Sequence, residues 1–239
     1  MMARLLLALT SLCYAVLAKQ SKGSSSDWVL TSTAFDAGDF LPDAYTCAAD
    51  DGGVSPPLDW SKHAPSGAQQ YLITRTNIPH PDNELSTDDW DNAHEYKTRF
   101  DWVVYDISKK TTAIKADGST KVGTIGGAFP GSPPEYFYRS SCSKGSGMKQ
   151  VTFSVHALNG DLAEKVAKGK TCDDDGDNCD VGWYMHYYAK KHDMIISTAT
   201  IDVWYCGGCS DSEVQAYCDA ADESSELRKA CSKAGKVAV

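Results

Sequence analysis

From residue 28 onward, apolar and polar positions alternate in short runs. The runs are Trp28-Val-Leu-Thr-Ser-Thr33, Tyr71-Leu-Ile-Thr-Arg-Thr76, Trp102-Val-Val-Tyr-Asp-Ile107, Val151-Thr-Phe-Ser-Val-His-Ala-Leu158 and Ile195-Ile-Ser-Thr-Ala-Thr-Ile-Asp-Val-Trp-Tyr205. A period of two sends successive side chains to opposite faces, and the runs are rich in β-branched and aromatic residues, so each predicts a strand. Gly, Pro, Asn and Asp clusters between them punctuate an antiparallel fold. Helical periodicity is sparse. It begins at Asp161-Leu-Ala-Glu-Lys-Val-Ala-Lys, which Asp161 starts and Gly169 stops. A second helix is expected from Val181 to His192, where Trp183, Tyr184, Tyr187 and Tyr188 fall at three-to-four spacing and predict a face packed on the sheet. Two more are expected around Glu213 to Ala221 and Ser225 to Ser232. The predicted class is mainly β with a few peripheral helices.

The ends of the chain read differently from its middle. Arg4 precedes the apolar stretch Leu5 to Leu17, with small residues at Ala15 and Ala18, which predicts a signal peptide over residues 1–18. Residues 19–27 carry too few apolar groups to pack and read as a disordered tether. The main domain is expected over 28–205, followed by a Cys-rich, helical C-terminal appendage over 206–239; the alternative is that this last region packs as part of the main domain. No later segment approaches the ~20 apolar residues that cross a bilayer, so no transmembrane segment is expected in the mature chain.

Cysteine usage agrees with a secreted, extracellular location. Of nine cysteines, Cys13 lies in the leader, and Cys47, Cys142, Cys172, Cys179, Cys206, Cys209, Cys218 and Cys231 form an even set suited to four disulfides. The charge adds an exclusion: 32 acids against 23 bases give a formal net charge of −9, and no basic run exceeds Lys190-Lys191, so nucleic acid is not an expected partner.

Three constellations could carry chemistry. Residues 172–180 place five carboxylates within eight residues, but the spacing is not that of an EF-hand, and the reading is a solvated acidic loop closed by Cys172 and Cys179. Cys206-Gly-Gly-Cys209 has dithiol redox spacing, and with Cys218 and Cys231 it also has zinc-like spacing. Without a βαβ surround, two disulfides are the expectation, with no metal and no cofactor. His156 lies mid-strand between Val155 and Ala157, with nothing beside it in sequence to orient it. Nucleophile elbows, His-Glu-x-x-His helices and Rossmann glycine sets are all missing, so the chain reads as a binder and not an enzyme.

Ordered motifs give a resemblance. Gly38-Asp-Phe-Leu-Pro-Asp-Ala-Tyr-Thr-Cys47 is followed by Gly53-Val-Ser-Pro-Pro-Leu-Asp-Trp-Ser61, Gly67-Ala with Tyr71-Leu-Ile-Thr74, and Phe100-Asp-Trp-Val-Val-Tyr-Asp-Ile107. Next come Cys142-Ser-Lys-Gly-Ser-Gly-Met-Lys149, Phe153-Ser-Val-His-Ala-Leu158 and the last strand ending at Tyr205. Over about residues 28–206 the chain resembles the phosphatidylethanolamine-binding protein family, in its bacterial-like, Raf-kinase-inhibitor-like branch. The resemblance implies two antiparallel sheets in a sandwich, a bridge between Cys47 and Cys142, and a small surface pocket for anions or phospholipid headgroups. It also leaves room for an extracellular protein partner, since some family members inhibit a carboxypeptidase or restrain a kinase.

The family's pocket segments are altered here. Its Asp-Pro-Asp-Ala-Pro turn is aligned with Asn77-Ile-Pro-His-Pro81, so the opening Asp becomes Asn77 and Pro81 is kept. Asp101 replaces a histidine before Trp102, Tyr138-Arg-Ser-Ser-Cys142 replaces a glycine- and proline-containing segment, and Lys149 takes the place of the loop histidine. The candidate ligand-binding residues are Asn77, Pro81, Asp101, Tyr138, Ser141 and Lys149. Two like charges ~4 Å apart repel by about 4 kcal/mol at an effective dielectric of 20, so Asp101 would oppose a bound anion unless Lys149 or Arg139 offset it. His80 and His94 align near the pocket and read as surface residues.

Overall fold

The computed structural model describes residues 27–49, 53–79, 99–117, 123–126, 138, 148–162, 181–207, 209–221, 223 and 225–235. The elements are β1 (Leu58–Asp59), β2 (Gln70–Pro79), β3 (Arg99–Ser108), β4 (Ala113–Ile114), β5 (Thr124–Gly126), β6 (Met148–Leu158), α1 (Val181–Lys191), β7 (Ile195–Cys206), α2 (Asp211–Ala220) and α3 (Glu226–Lys233). Five strands make an antiparallel sheet in the order β5-β3-β2-β6-β7, and β1 pairs with β4 in a second, two-stranded sheet. The four long alternating runs after residue 70 are therefore its strands, and the helices at 181, 211 and 226 also form as expected. The helix expected from Asp161 lies largely outside the described residues.

The run at 28–33 makes no strand. Thr31 forms one isolated bridge to Asp59, and the hydroxyl of Ser32 donates to the Pro57 carbonyl. Pro56 and Pro57 have no N–H to offer, so the ladder cannot continue past β1.

The large sheet buries both faces. One face presents Tyr71, Ile73, Trp102, Val104, Val151, Phe153 and Val203 against Leu58, Trp60 and Ile114 of the small-sheet layer. Each such fully buried side chain contributes roughly 1.5–3 kcal/mol of transfer free energy. The other face carries Leu72, Val103 and Leu158 beneath Met185 and Ala189 of α1. At the β6–β7 end, Met148 and Trp204 share a third cluster with Cys218, Leu227, Ala230 and Cys231, so α2 and α3 are packed on the sheet. Ser210 caps α2 with a reciprocal capping box to Glu213, and Cys218–Cys231 ties α2 to α3.

Candidate functional site

The site grows from the parity of β2. Tyr71, Ile73, Arg75 and Asn77 share one face, so the alternation that buries two apolar side chains also carries Arg75 inside, where it is 0% exposed. A buried guanidinium needs a counter-charge and hydrogen-bond acceptors. Asp101 supplies both: Arg75 Nη1 donates to Asp101 Oδ2 at 3.1 Å, and the Asn77 side-chain amide donates to the same oxygen.

A β-bulge makes this contact. Arg75 pairs with Trp102 and Thr76 with Phe100, so Asp101 is an extra residue in β3. Strict alternation would set Asp101 beside Val103, away from Trp102 and Val104. The bulge turns it back toward Arg75.

Aromatic rings close around the pair. The Arg75 guanidinium carbon lies 5.5 Å from the Tyr138 ring centre and 5.9 Å from that of Phe153, within range of a cation–π attraction. Tyr138 meets Trp102 edge to face at 5.4 Å and donates its hydroxyl to the Tyr45 carbonyl at 3.0 Å. Burial pushes the Tyr138 hydroxyl up to about 12; Arg75 pulls it down, and Asp101 and Tyr45 raise it. It therefore remains a neutral donor at physiological pH. Tyr205 is likewise raised by burial, with Arg75 lowering it and Asp43 raising it, and its hydroxyl lies 3.8 Å from the Cys47 sulfur. Lys149, half-buried, sits across from Pro79 on one side and Tyr205 on the other, on the same sheet face as Arg75 and Asn77.

Asn77, Asp101 and Tyr138 thus converge on one cluster, with Lys149 at the same end of the sheet. Pro81, Ser141, Arg139, His80 and His94 lie outside the described residues, as do Cys142, Cys172, Cys179 and the acidic loop 172–180. Cys47 is disulfide-bonded. Cys206 pairs with Cys209 and Cys218 with Cys231, so these four cysteines hold two disulfides. The counter-charge of Asp101 is Arg75, which the sequence reading did not place in the site. Its signal was present: a charge at an inward position of an alternating strand requires a partner. The pentad Arg75-Thr-Asn-Ile-Pro79 also ends in proline, so the family's turn motif can begin at Arg75 as well as at Asn77.

The family model for phosphatidylethanolamine-binding proteins matches residues 31–192, and the chain belongs to that family. Similar solved structures include a phosphatidylethanolamine-binding protein homologue from Chlamydia trachomatis. It has TM-score 0.48 and 19% identity, covering 74% of this chain and 95% of that one. Another is Escherichia coli YbcL, described as a member of the mammalian family, with TM-score 0.48 and 20% identity, covering 75% of this chain and 98% of that one. Among curated proteins, none matches the chain by sequence.

Proposed function

We propose that the chain is a secreted, non-enzymatic binding protein of the phosphatidylethanolamine-binding protein family. In this reading its pocket, bordered by Asn77, Asp101, Tyr138 and Lys149, takes a small phospholipid-headgroup-like ligand through a rewired set of charges. The observation that carries the reading is the buried Arg75–Asp101 pair at the end of the sheet, with Lys149 on the same face. Basic side chains beside a carboxylate suit a ligand that carries both a phosphate and an amine. The ionisable groups gathered here favour holding over reacting, because Tyr138 keeps its proton and the Asp101 carboxylate is engaged by Arg75. The apolar leader and the bridged cysteines support export to an oxidising compartment.

Calorimetric titration of the mature protein with phosphorylethanolamine tests this. Saturable binding is expected, weakened about tenfold by Lys149→Ala through loss of one charge-assisted contact. Absence of saturable heat with phosphorylethanolamine would overturn the reading.

A further inference from the structure

Two disulfides stand at the β6–β7 end of the sheet, and they differ in what they hold. Cys218 and Cys231, thirteen residues apart, join α2 to α3 and are both 0% exposed in the cluster with Met148, Trp204 and Leu227, where no outside thiolate reaches them. Cys206 and Cys209, three residues apart, are both half-buried, and the two residues between them in sequence are glycines. So short a loop removes little freedom from the unfolded chain. The elements on either side are also fixed without this bridge. β7 is paired with β6 as far as Met148 and Cys206, and on its other edge Trp204 bonds Asp39 and Leu41. α2 starts on its own capping box at Ser210 and is anchored through Cys218. A bond that adds so little to the fold can open and close while the fold persists.

We propose that Cys206–Cys209 is a redox-exchange site that accepts electrons from a peptide or protein dithiol, independently of any headgroup binding. Cys209 immediately precedes the cap of the ten-residue helix α2 and so stands at its positive end, which favours a thiolate. Asp211 and Glu213 in the first turn oppose this, but the Glu213 carboxylate is occupied by the N–H and hydroxyl of Ser210. Cys209 is therefore the leaving sulfur. One substrate thiolate attacks Cys206 Sγ; the Cys206–Cys209 bond breaks, its electron pair leaves on Cys209, and Cys209 takes up a proton. The second substrate thiolate attacks the substrate sulfur of this mixed disulfide, and Cys206 leaves as a thiolate and is protonated in turn. Two electrons and two protons pass to the chain, and the substrate departs as a disulfide. A low-molecular-weight disulfide restores the starting state by the reverse steps.

The test treats the mature protein, under native conditions, with graded dithiothreitol, alkylates the thiols released and maps them by peptide mass spectrometry. Cys206 and Cys209 should be freed at a dithiothreitol concentration about tenfold or more below that which frees Cys218 and Cys231, with the far-ultraviolet circular dichroism unchanged. In a second arm the oxidised protein is mixed with a reduced two-cysteine peptide. Wild type should convert the peptide to its disulfide, and the yield should fall about tenfold or more in the double variant Cys206→Ser, Cys209→Ser. Release of all four cysteines together, or release of Cys206 and Cys209 only with loss of the native spectrum, would overturn the inference. Equal peptide oxidation by wild type and a folded variant would do the same. Where the variant folds poorly, the order of release in the wild type decides alone.

Discussion

The sheet buries a polar cluster on each face, and the two are built on opposite plans. On one face a full charge, Arg75, is compensated by another full charge, Asp101, whose Oδ2 also accepts from the Asn77 side-chain amide. On the other face, under α1, His156 bonds Thr74 Oγ1 through Nε2 at 3.1 Å and Thr198 Oγ1 through Nδ1 at 2.9 Å, while its ring lies 4.7 Å from that of His186. Both ring nitrogens of His156 are engaged by hydroxyls from flanking strands. Burial, then the neighbouring His186, holds His156 well below its ordinary value, and burial, then Lys190, lowers His186 to about 4. A neutral His156 with both ring nitrogens bonded reads as structure. A charged pair buried at the end of the sheet is the candidate site. The contrast shows that depth of burial alone does not mark a candidate site; what separates the two is that one cluster is held by hydroxyls around a neutral ring and the other by a pair of full charges.

The contrast can be broken most severely at the charged side. Arg75→Met removes the counter-charge of a buried carboxylate and should cost about 3–5 kcal/mol in chemical denaturation. Adding Asp101→Leu should return most of that loss, because the pair as a whole gives little net stability. Failure of the double variant to recover would mean that Arg75 is held mainly by the Tyr138 and Phe153 rings.

Acid should act on the histidine side. The unfolded chain binds a proton at His186 near its ordinary 6.5, and the folded chain does so only near 4, so the unfolded state holds more protons between these values. Stability is therefore intact above pH 6.5 and falls as pH drops toward 4, by up to about 3 kcal/mol from this residue. Urea midpoints at pH 7, 5 and 4 should decline more steeply in wild type than in His186→Gln, and parallel declines would rule His186 out as a source. The smallest effect belongs to Thr198→Val, which removes the exposed partner of His156 and should cost about 1 kcal/mol or less at pH 7, with ligand binding unchanged.

Alternation was enough to read β2, β3, β6 and β7, because each of these strands has a face that must be buried and a one-residue slip would expose it. It misled at residues 28–33, where the neighbouring prolines withhold the donors that a ladder needs. Of the candidate residues named from the sequence, Asn77, Asp101 and Tyr138 are brought together in the described residues. The pairing of Arg75 with Asp101 was not legible. Their separation of 26 residues carries no local signal, and the parity of β3 alone points Asp101 to the wrong face. His156 was equally opaque, since Thr74 and Thr198 reach it only through strand register.

The bulge at Asp101 has a genetic corollary. The position of the carboxylate depends on the number of residues between Phe100 and Trp102 as well as on which residue stands there. Loss of that single codon would let β3 pair in regular step with β2 and would delete the acid and its orientation in one event. The opposite event, a one-codon insertion into an unbulged strand, could introduce an inward acid without altering any neighbouring letter. Within this fold, ligand preference is thus open to change by insertion and deletion, a route that position-by-position scanning mutagenesis does not sample.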